Sequence, residues 1–218
     1  RSAGYDHVEH LARKANIASL REYCVNAVAQ TALKFLYAAA GKLNHYSKHA
    51  ETFERKGAEA FMELGRHRTL TVFGVGKIGK KICELGEANG LTVQGVDVRA
   101  DELRDAYGGS VRFVSKEAAL RSSDIIVCAM NLTRSQRSPF RNVGYFSETI
   151  LSKAKKGLIF INVTRGEIAP EAALLKLYRA GFLSGIGLDV FSREAEFAQL
   201  LGGAPAKGPD LQAARDFV

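Results

Sequence analysis

Three groups of residues in this 218-residue chain have types and spacings that could do chemistry. The first is Gly74-Val75-Gly76-Lys77-Ile78-Gly79, a G-x-G-x-x-G run. Alone, such a run is weak evidence. Here it follows the apolar stretch Leu70-Thr-Val-Phe73 and opens a helical pattern with Ile78, Ile82 and Leu85 on one face. That is the strand–turn–helix context dinucleotide binding requires. Gly74 then permits the tight turn, Gly76 lets a pyrophosphate approach the backbone, and Gly79 lets the helix pack close to the strand. The helix N-terminus adds N–H donors and a positive dipole end. Asp97 ends the next apolar stretch, at the distance where an acid accepts hydrogen bonds from an adenosine ribose. Its carboxylate would repel a 2′-phosphate, which favours NAD over NADP, and Arg99 nearby could soften that preference. The competing reading is a tight turn with no nucleotide.

The second group is Asn162-Val-Thr-Arg165-Gly166, at the end of the apolar run Leu158 to Val163. Strand C-termini in parallel sheets line the ligand crevice. A guanidinium there suits a carboxylate clamp, because its fork matches two oxygens. Pairing of Arg165 with a nearby acid fits the motif equally well. The third group is Gly187-Leu-Asp189-Val-Phe-Ser-Arg-Glu194. Two acids at a strand end could orient a catalytic base. Taken alone, they fit a helix cap better.

The elements around these groups read as alternating strand and helix. Asn26 to Phe61 carries Ala and Leu at helical spacing, interrupted only by Gly41. After Thr69 the order is strand 70–73, helix 78–89, strand 91–96, helix 101–107, strand 111–114, helix 115–122 and strand 124–130. A polar, Arg-rich loop from Asn131 to Gly144 follows. Ser147 reads as the N-cap of a helix through Lys155, Leu158 to Val163 as a strand, and Pro170 as the first residue of a helix ending at Gly181. Gly185 to Phe191 holds the last strand, and from Glu194 the pattern weakens. Strands apolar throughout and separated by helices predict an α/β fold, a parallel sheet covered on both faces.

Composition bounds the rest. Hydrophobic residues make up 46% and charged residues 25%, so a packed core is expected and disorder is not. No run reaches the roughly 18 apolar residues of a membrane helix. The net charge of +8 permits nucleic acid or an anionic ligand, but the positive side chains are scattered and no nucleic-acid motif with interleaved aromatics accompanies them. Cys24, Cys83 and Cys128 are odd in number and far apart, a pattern of a reducing compartment without metal cluster or disulfides, which predicts the cytoplasm.

Together these segments resemble the NAD-dependent D-isomer-specific 2-hydroxyacid dehydrogenases. Arg1-Ser-Ala-Gly-Tyr-Asp-His7 is similar to that family's substrate-carboxylate loop, and Asn26-Ala-Val-Ala to the start of its crossing helix. The glycine run, Asn131-Leu132-Thr133, the Arg165 segment and Gly185-Ile-Gly-Leu-Asp-Val-Phe191 follow in the family's order. The resemblance implies a doubly wound Rossmann domain over 26–191 that binds NAD, with residues 1–25 and 192–218 as fragments of a flavodoxin-like substrate domain. It implies hydride transfer between NAD(H) and a small 2-oxo or D-2-hydroxy acid. Arg165 then holds the substrate carboxylate and polarises the carbonyl, Glu194 pairs with a catalytic histidine, and the backbone of Ala3 and Gly4 cradles the carboxylate. The cofactor contacts it implies are Gly74, Gly76, Lys77, Ile78, Gly79, Asp97, Val98, Arg99, Asn131, Leu132, Thr133, Val163, Thr164 and Asp189. It further implies a homodimer meeting at the crossing helix.

The chain departs from the family's pattern in places. Its five histidines, His7, His10, His45, His49 and His67, all precede the glycine run, so none follows Glu194. Gln30 stands where the family usually has Glu, and the loop 134–143 is longer than usual. The expectation is a cofactor-binding domain from a larger enzyme, of low activity by itself. The alternative is a non-catalytic NAD-binding protein of the same fold.

Overall fold

The structure, a computed structural model, describes residues 22–52 and 60–217. Five strands form one parallel sheet: β1 (Thr69–Phe73), β2 (Thr92–Val96), β3 (Ile125–Cys128), β4 (Leu158–Asn162) and β5 (Leu183–Leu188), in the order β2-β1-β3-β4-β5. The chain leaves β1 toward β2 and then returns to the other side of β1 for β3. This reversal is the switch point at which such sheets open a ligand crevice beyond the strand C-termini.

Helices cover both faces. On one lie α1 (Val25–Ala40) and α3 (Lys77–Ala88). They pack on Leu70, Val72, Ile125, Val127, Ile159 and Ile161, one alternating set of strand side chains. The opposite set, Phe73, Ile126, Cys128 and Phe160, faces α5 (Lys116–Ser122), α6 (Glu148–Leu151) and α7 (Glu171–Arg179). The short α4 (Ala100–Ala106) follows β2 and buries only Leu103. Phe146 sits between Phe73 and Phe160, with ring centroids at 5.1 and 4.9 Å. Because both faces are buried, most strand residues are apolar on either side, and two buried exceptions, Thr71 and Gln94, bond to each other at 2.9 Å. Seating of α1 is very close. A β-carbon at Gly185 would lie 2.8 Å from Ala39 Cβ, and one at Gly187 would lie 2.5 Å from Phe35 Cβ.

Several boundaries differ from the sequence expectation. The helical run from Asn26 is two helices, α1 and α2 (Leu43–Thr52), broken where Gly41 caps α1 and Lys42 takes a left-handed φ of 49°. The buried stripe Ala29, Ala32, Leu33, Leu36, Ala40 ends there, and α2 buries no residue, so nothing holds one straight helix together. Residues 53–59 lie outside the described residues, and Phe61 is exposed and belongs to no helix. The segment 111–114 is not a full strand: only Phe113 bridges to Gly95, at the outer edge of β2. The helix after Ser147 stops at Leu151, and the Ser147 side chain makes no cap bond. Pro170 precedes α7 rather than starting it. β5 starts at Leu183 and ends at Leu188, which leaves Asp189 to Phe191 beyond it.

The weak tail forms two helices, α8 (Glu194–Leu201) and α9 (Pro209–Asp216). α9 is tied to α7 by Asp210 Oδ1, which accepts from Ala172 N at 2.9 Å, and by Arg179–Asp216 at 2.7 Å.

At the opposite end of the sheet from the switch point, Asp124 joins β1 to β3. Its carboxylate is nearly buried and accepts from Thr69 N at 2.9 Å, Arg68 at 3.3 Å and Lys155 Nζ at 2.6 Å. Burial pulls its pKa up, but the hydrogen bonds from Lys155 and Thr69, the Lys155 charge and the Arg68 bond outweigh it, so the group titrates below an ordinary aspartate. Removing it orphans a strand N–H and two cations. Asp124→Ala should therefore cost about 1–3 kcal/mol, read as a lower denaturant midpoint at unchanged slope. The sign with pH follows from the depressed pKa. The contribution is complete above the unfolded value of about 3.9 and fades as pH falls through the lower folded value. Wild type and variant should thus converge in stability in strong acid.

Candidate functional site

The glycine loop leaves β1 at the switch point, and each glycine has a distinct reason. Gly74 sits at φ +88°, and a β-carbon there would lie 2.7 Å from the Met130 backbone, just past β3. A β-carbon on Gly79 would lie 2.0 Å from Gly74 O, so the first turn of α3 is pressed against the loop. Gly76 differs: at φ −72° it has no strain, and nothing lies within 4 Å of its absent side chain. The protein does not need a glycine there for its own packing. An anion seated on that backbone does. Lys77 and Ile78 open α3, whose N-terminal N–H groups face the same space. Lys77 Nζ also pairs with Glu22, just before α1.

Asp97 follows β2 directly. One carboxylate oxygen accepts from Val75 N at 2.8 Å inside the glycine loop, and the other from Arg99 N at 2.9 Å. Each oxygen keeps a lone pair for a further donor. Arg99 stands 3.9 Å from Asp97 and 3.5 Å from Glu102, and Val98 is fully on the surface at 74% exposure. Tyr107 closes the loop from below, donating to Val75 O at 3.0 Å, with Lys80 over its ring at 4.8 Å. An open glycine, a helix N-terminus and a carboxylate at the β2 end together fit the pyrophosphate and ribose of a dinucleotide.

The other wall comes from the ends of β3, β4 and β5. Asn131, Leu132 and Thr133 form the segment after β3, with Leu132 buried. It is fixed by Asn142, whose amide donates to Asn131 O at 2.8 Å and accepts from Thr133 N at 2.7 Å. Beyond β4, Val163 is buried, and Thr164 bonds through N and Oγ1 to Asn162 Oδ1, each at 3.2 Å. Asn162 Nδ2 donates to Arg165 O at 2.9 Å. This fully buried amide thus builds the turn that presents Arg165. Arg165 itself is exposed and donates to Thr164 O at 2.7 Å. Among the described residues it has no ion-pair partner.

Asp189 is exposed, and its N–H donates to Asn162 O at 3.1 Å. Glu194 is exposed at the start of α8 and accepts from Phe191 N at 3.4 Å, a long bond consistent with a local cap. The two segments that carry Arg165 and Glu194 touch: a β-carbon at Gly166 would lie 2.0 Å from Phe191 C and Ser192 N. Ala3 and Gly4, with His7 and His10, lie outside the described residues. His45 and His49 stack on α2 at 4.3 Å, and His67 precedes β1 at the far end of the sheet, so none of the three reaches the crevice. Sequence reasoning gave no role to Asn142 or to Glu171. Asn162 it saw only as part of a motif, although an Asn ending a five-residue apolar strand was itself a signal.

A parallel sheet with this crevice and this glycine cradle defines a dinucleotide-binding domain, and the sequence comparison says which. The family profile "D-isomer specific 2-hydroxyacid dehydrogenase, NAD binding domain" matches residues 33–212, and the chain belongs to that family. The cofactor is therefore NAD. Among curated relatives, the chain is 32% identical over 176 residues to the glyoxylate reductase of Aeropyrum pernix, covering 77% of this chain and 50% of that protein. It is 36% identical over 127 residues to the D-3-phosphoglycerate dehydrogenase of Bacillus subtilis, covering 58% and 23%. Its fold matches that of the D-lactate dehydrogenase of Aquifex aeolicus, solved with NAD and lactic acid, at a TM-score of 0.80 and 23% identity, covering 99% of this chain and 63% of that one. The chain thus spans half or less of the length of these two curated relatives.

Proposed function

We propose that the protein is an oxidoreductase that interconverts a small 2-oxo acid and its D-2-hydroxy acid with NAD(H). The observation that carries this reading is Arg165, an exposed guanidinium without an acid partner among the described residues, at the same end of the sheet as the glycine cradle. The names of the two curated relatives, a glyoxylate reductase and a D-3-phosphoglycerate dehydrogenase, support the substrate class. Bound in the cradle, the cofactor supplies or accepts the hydride.

The chain's own residues bind and orient. Gly74, Gly76 and Gly79 admit the pyrophosphate, with Lys77 and Ile78 at the helix N-terminus, and Asp97 holds the adenosine ribose beside Val98 and Arg99. Asn131, Leu132, Thr133, Val163, Thr164 and Asp189 line the nicotinamide end. Arg165 grips the substrate carboxylate and draws electron density from its carbonyl. Glu194 is the acid that orients a proton donor, and Ala3 and Gly4 complete the carboxylate cradle. Residues 26–191 form the cofactor unit, while 1–25 and 192–218 belong to the substrate-binding part, with α9 laid against α7 and α8 against α9. A cytoplasmic homodimer meeting at α1 completes the reading.

The test is oxidation of NADH by glyoxylate, pyruvate or hydroxypyruvate with the complete encoded polypeptide. Turnover of at least one is expected. NADH binding without turnover of any would favour a non-catalytic NAD-binding protein instead. A second outcome concerns the ribose. Asp97→Asn removes the charge and retains an acceptor for Val75 N–H. The preference for NADH over NADPH should fall by about 10- to 100-fold, or about 1.4–2.8 kcal/mol, measured as the ratio of dissociation constants.

A further inference from the structure

The peptide joining Phe191 to Ser192 is gripped from two sides. On one side is the Gly166 backbone, so close that no side chain fits between them. On the other is the carboxylate of Glu171, in the first turn of α7. Glu171 is 1% exposed. One of its oxygens accepts from Ser192 N at 2.6 Å and the other from Ser192 Oγ at 2.8 Å. Gly166 follows Arg165 in the chain, and Ser192 lies shortly before Glu194. Both halves of the proposed acid-handling site therefore meet at this one peptide.

The helix dipole does not account for the burial of Glu171. A carboxylate in the first turn of a helix gains from the dipole while exposed as well as when partly buried. Among the described residues no cation pairs with it, and Asp210 on α9 adds a second negative charge nearby. Burial pushes its carboxyl up from the usual range, against the Ser192 bonds that pull it down. A buried carboxylate without a cation is costly, and an uncharged side chain of similar size would commonly serve the fold as well. What the carboxylate does provide is two acceptors aimed at one residue, which fixes that residue in both position and rotation.

We propose that Glu171 is a positioning residue: acting through Ser192, it sets the segment that carries Glu194 in register against the turn that carries Arg165. The assignment rests on the roles given above to Arg165 and Glu194. Glu171 touches neither substrate nor cofactor. Its effect is geometric, and small displacements of a clamp are costly to rate.

The test uses the complete encoded polypeptide, NADH, and whichever of glyoxylate, pyruvate or hydroxypyruvate is turned over. Glu171→Ala should raise KM for the acid and lower kcat, by roughly 10-fold or more in kcat/KM, while the NADH dissociation constant stays within about two-fold. Glu171→Gln, which retains one acceptor for Ser192 N–H, should recover most of the loss. Ser192→Ala, which removes one of the two bonds, should move the constants in the same direction by less, and it decides the matter if Glu171→Ala does not fold. Unchanged kinetics with a lower melting temperature would overturn the proposal, and so would NADH affinity falling in step with kcat/KM. A second measurement is independent of activity. The amides of Ile168 and Ala169 donate to Arg165 O and Gly166 O, so their hydrogen exchange reports the order of the Arg165 turn. In the folded Glu171 and Ser192 variants it should accelerate about 10-fold while exchange in β1 stays constant. If wild type turns over no 2-oxo acid, the catalytic reading fails, and unaltered exchange at Ile168 and Ala169 would separately overturn the role of Glu171.

Discussion

Gly76→Ala should yield a protein that folds normally and binds NADH at least 10-fold more weakly, a loss of about 1.4 kcal/mol or more. The added methyl meets no protein atom within 4 Å, and φ −72° suits any residue, so neither packing nor backbone strain opposes it. The melting temperature should move by no more than a couple of degrees, the range of a surface substitution of about 0.5 kcal/mol. What the methyl occupies is the open space before α3, the proposed seat of the pyrophosphate. Gly79→Ala is the control of opposite character. There the methyl would lie 2.0 Å from Gly74 O, a backbone atom, so the fold itself must shift. Stability should fall by about 1–3 kcal/mol, and cofactor affinity with it. Calorimetric titration with NADH and thermal unfolding on the same two variants separate a glycine kept for the ligand from one kept for packing. Equal stability losses in both would remove the argument from the open space at Gly76.

Arg165→Ala should leave NADH binding unchanged and depress kcat/KM for the 2-oxo acid by about 30- to 5,000-fold, the about 2–5 kcal/mol typical of truncating one partner of a desolvated charge pair. Asn162 holds the turn from within, because its amide bonds Arg165 O and Thr164, and those bonds remain when the guanidinium and its own bond to Thr164 O are lost. Arg165→Lys should recover little, since an ammonium offers a point charge where a carboxylate wants a fork. Steady-state kinetics with NADH held saturating, alongside a direct NADH titration, are the measurements. A variant with near wild-type kcat/KM would remove Arg165 from the carboxylate role.

The parts of the molecule that were legible in the sequence are those dictated by local sterics or by continuous burial. The glycine run could be read because each glycine answers a specific approach of backbone to backbone or backbone to ligand. The strands could be read because both sheet faces are covered, so Ile125 to Cys128 and Leu158 to Ile161 have no solvent side to mark with polar residues. The break after α1 was not legible from propensity, since one glycine is tolerated in many helices. It is the end of the buried stripe, a tertiary fact, that decides it. Phe113 reads as part of a strand but lies at the sheet edge, where a single bridge is all that forms. Asn142 and Glu171 look like solvent-facing loop and helix residues, and only the approach of segments distant in sequence buries them. The proposed acid-handling half of the site is assembled from such long-range contacts, so its supports were hidden while its motif residues were not.

The strand order described above also sets how much chain each pairing of β1 must close. Leu70 in β1 pairs with Val93 in β2 and with Ile125 in β3. The second pairing closes a stretch of chain roughly twice as long, at an entropic cost of about 0.6 kcal/mol more for that doubling. β4 reaches β1 only through β3, its neighbour in the sheet. The β1–α3–β2 unit is thus the more local of the two pairings that β1 makes. That unit carries Gly74, Gly76, Gly79 and Asp97 within a single stretch of chain, whereas the Arg165 and Glu194 segments meet only through contacts between later elements.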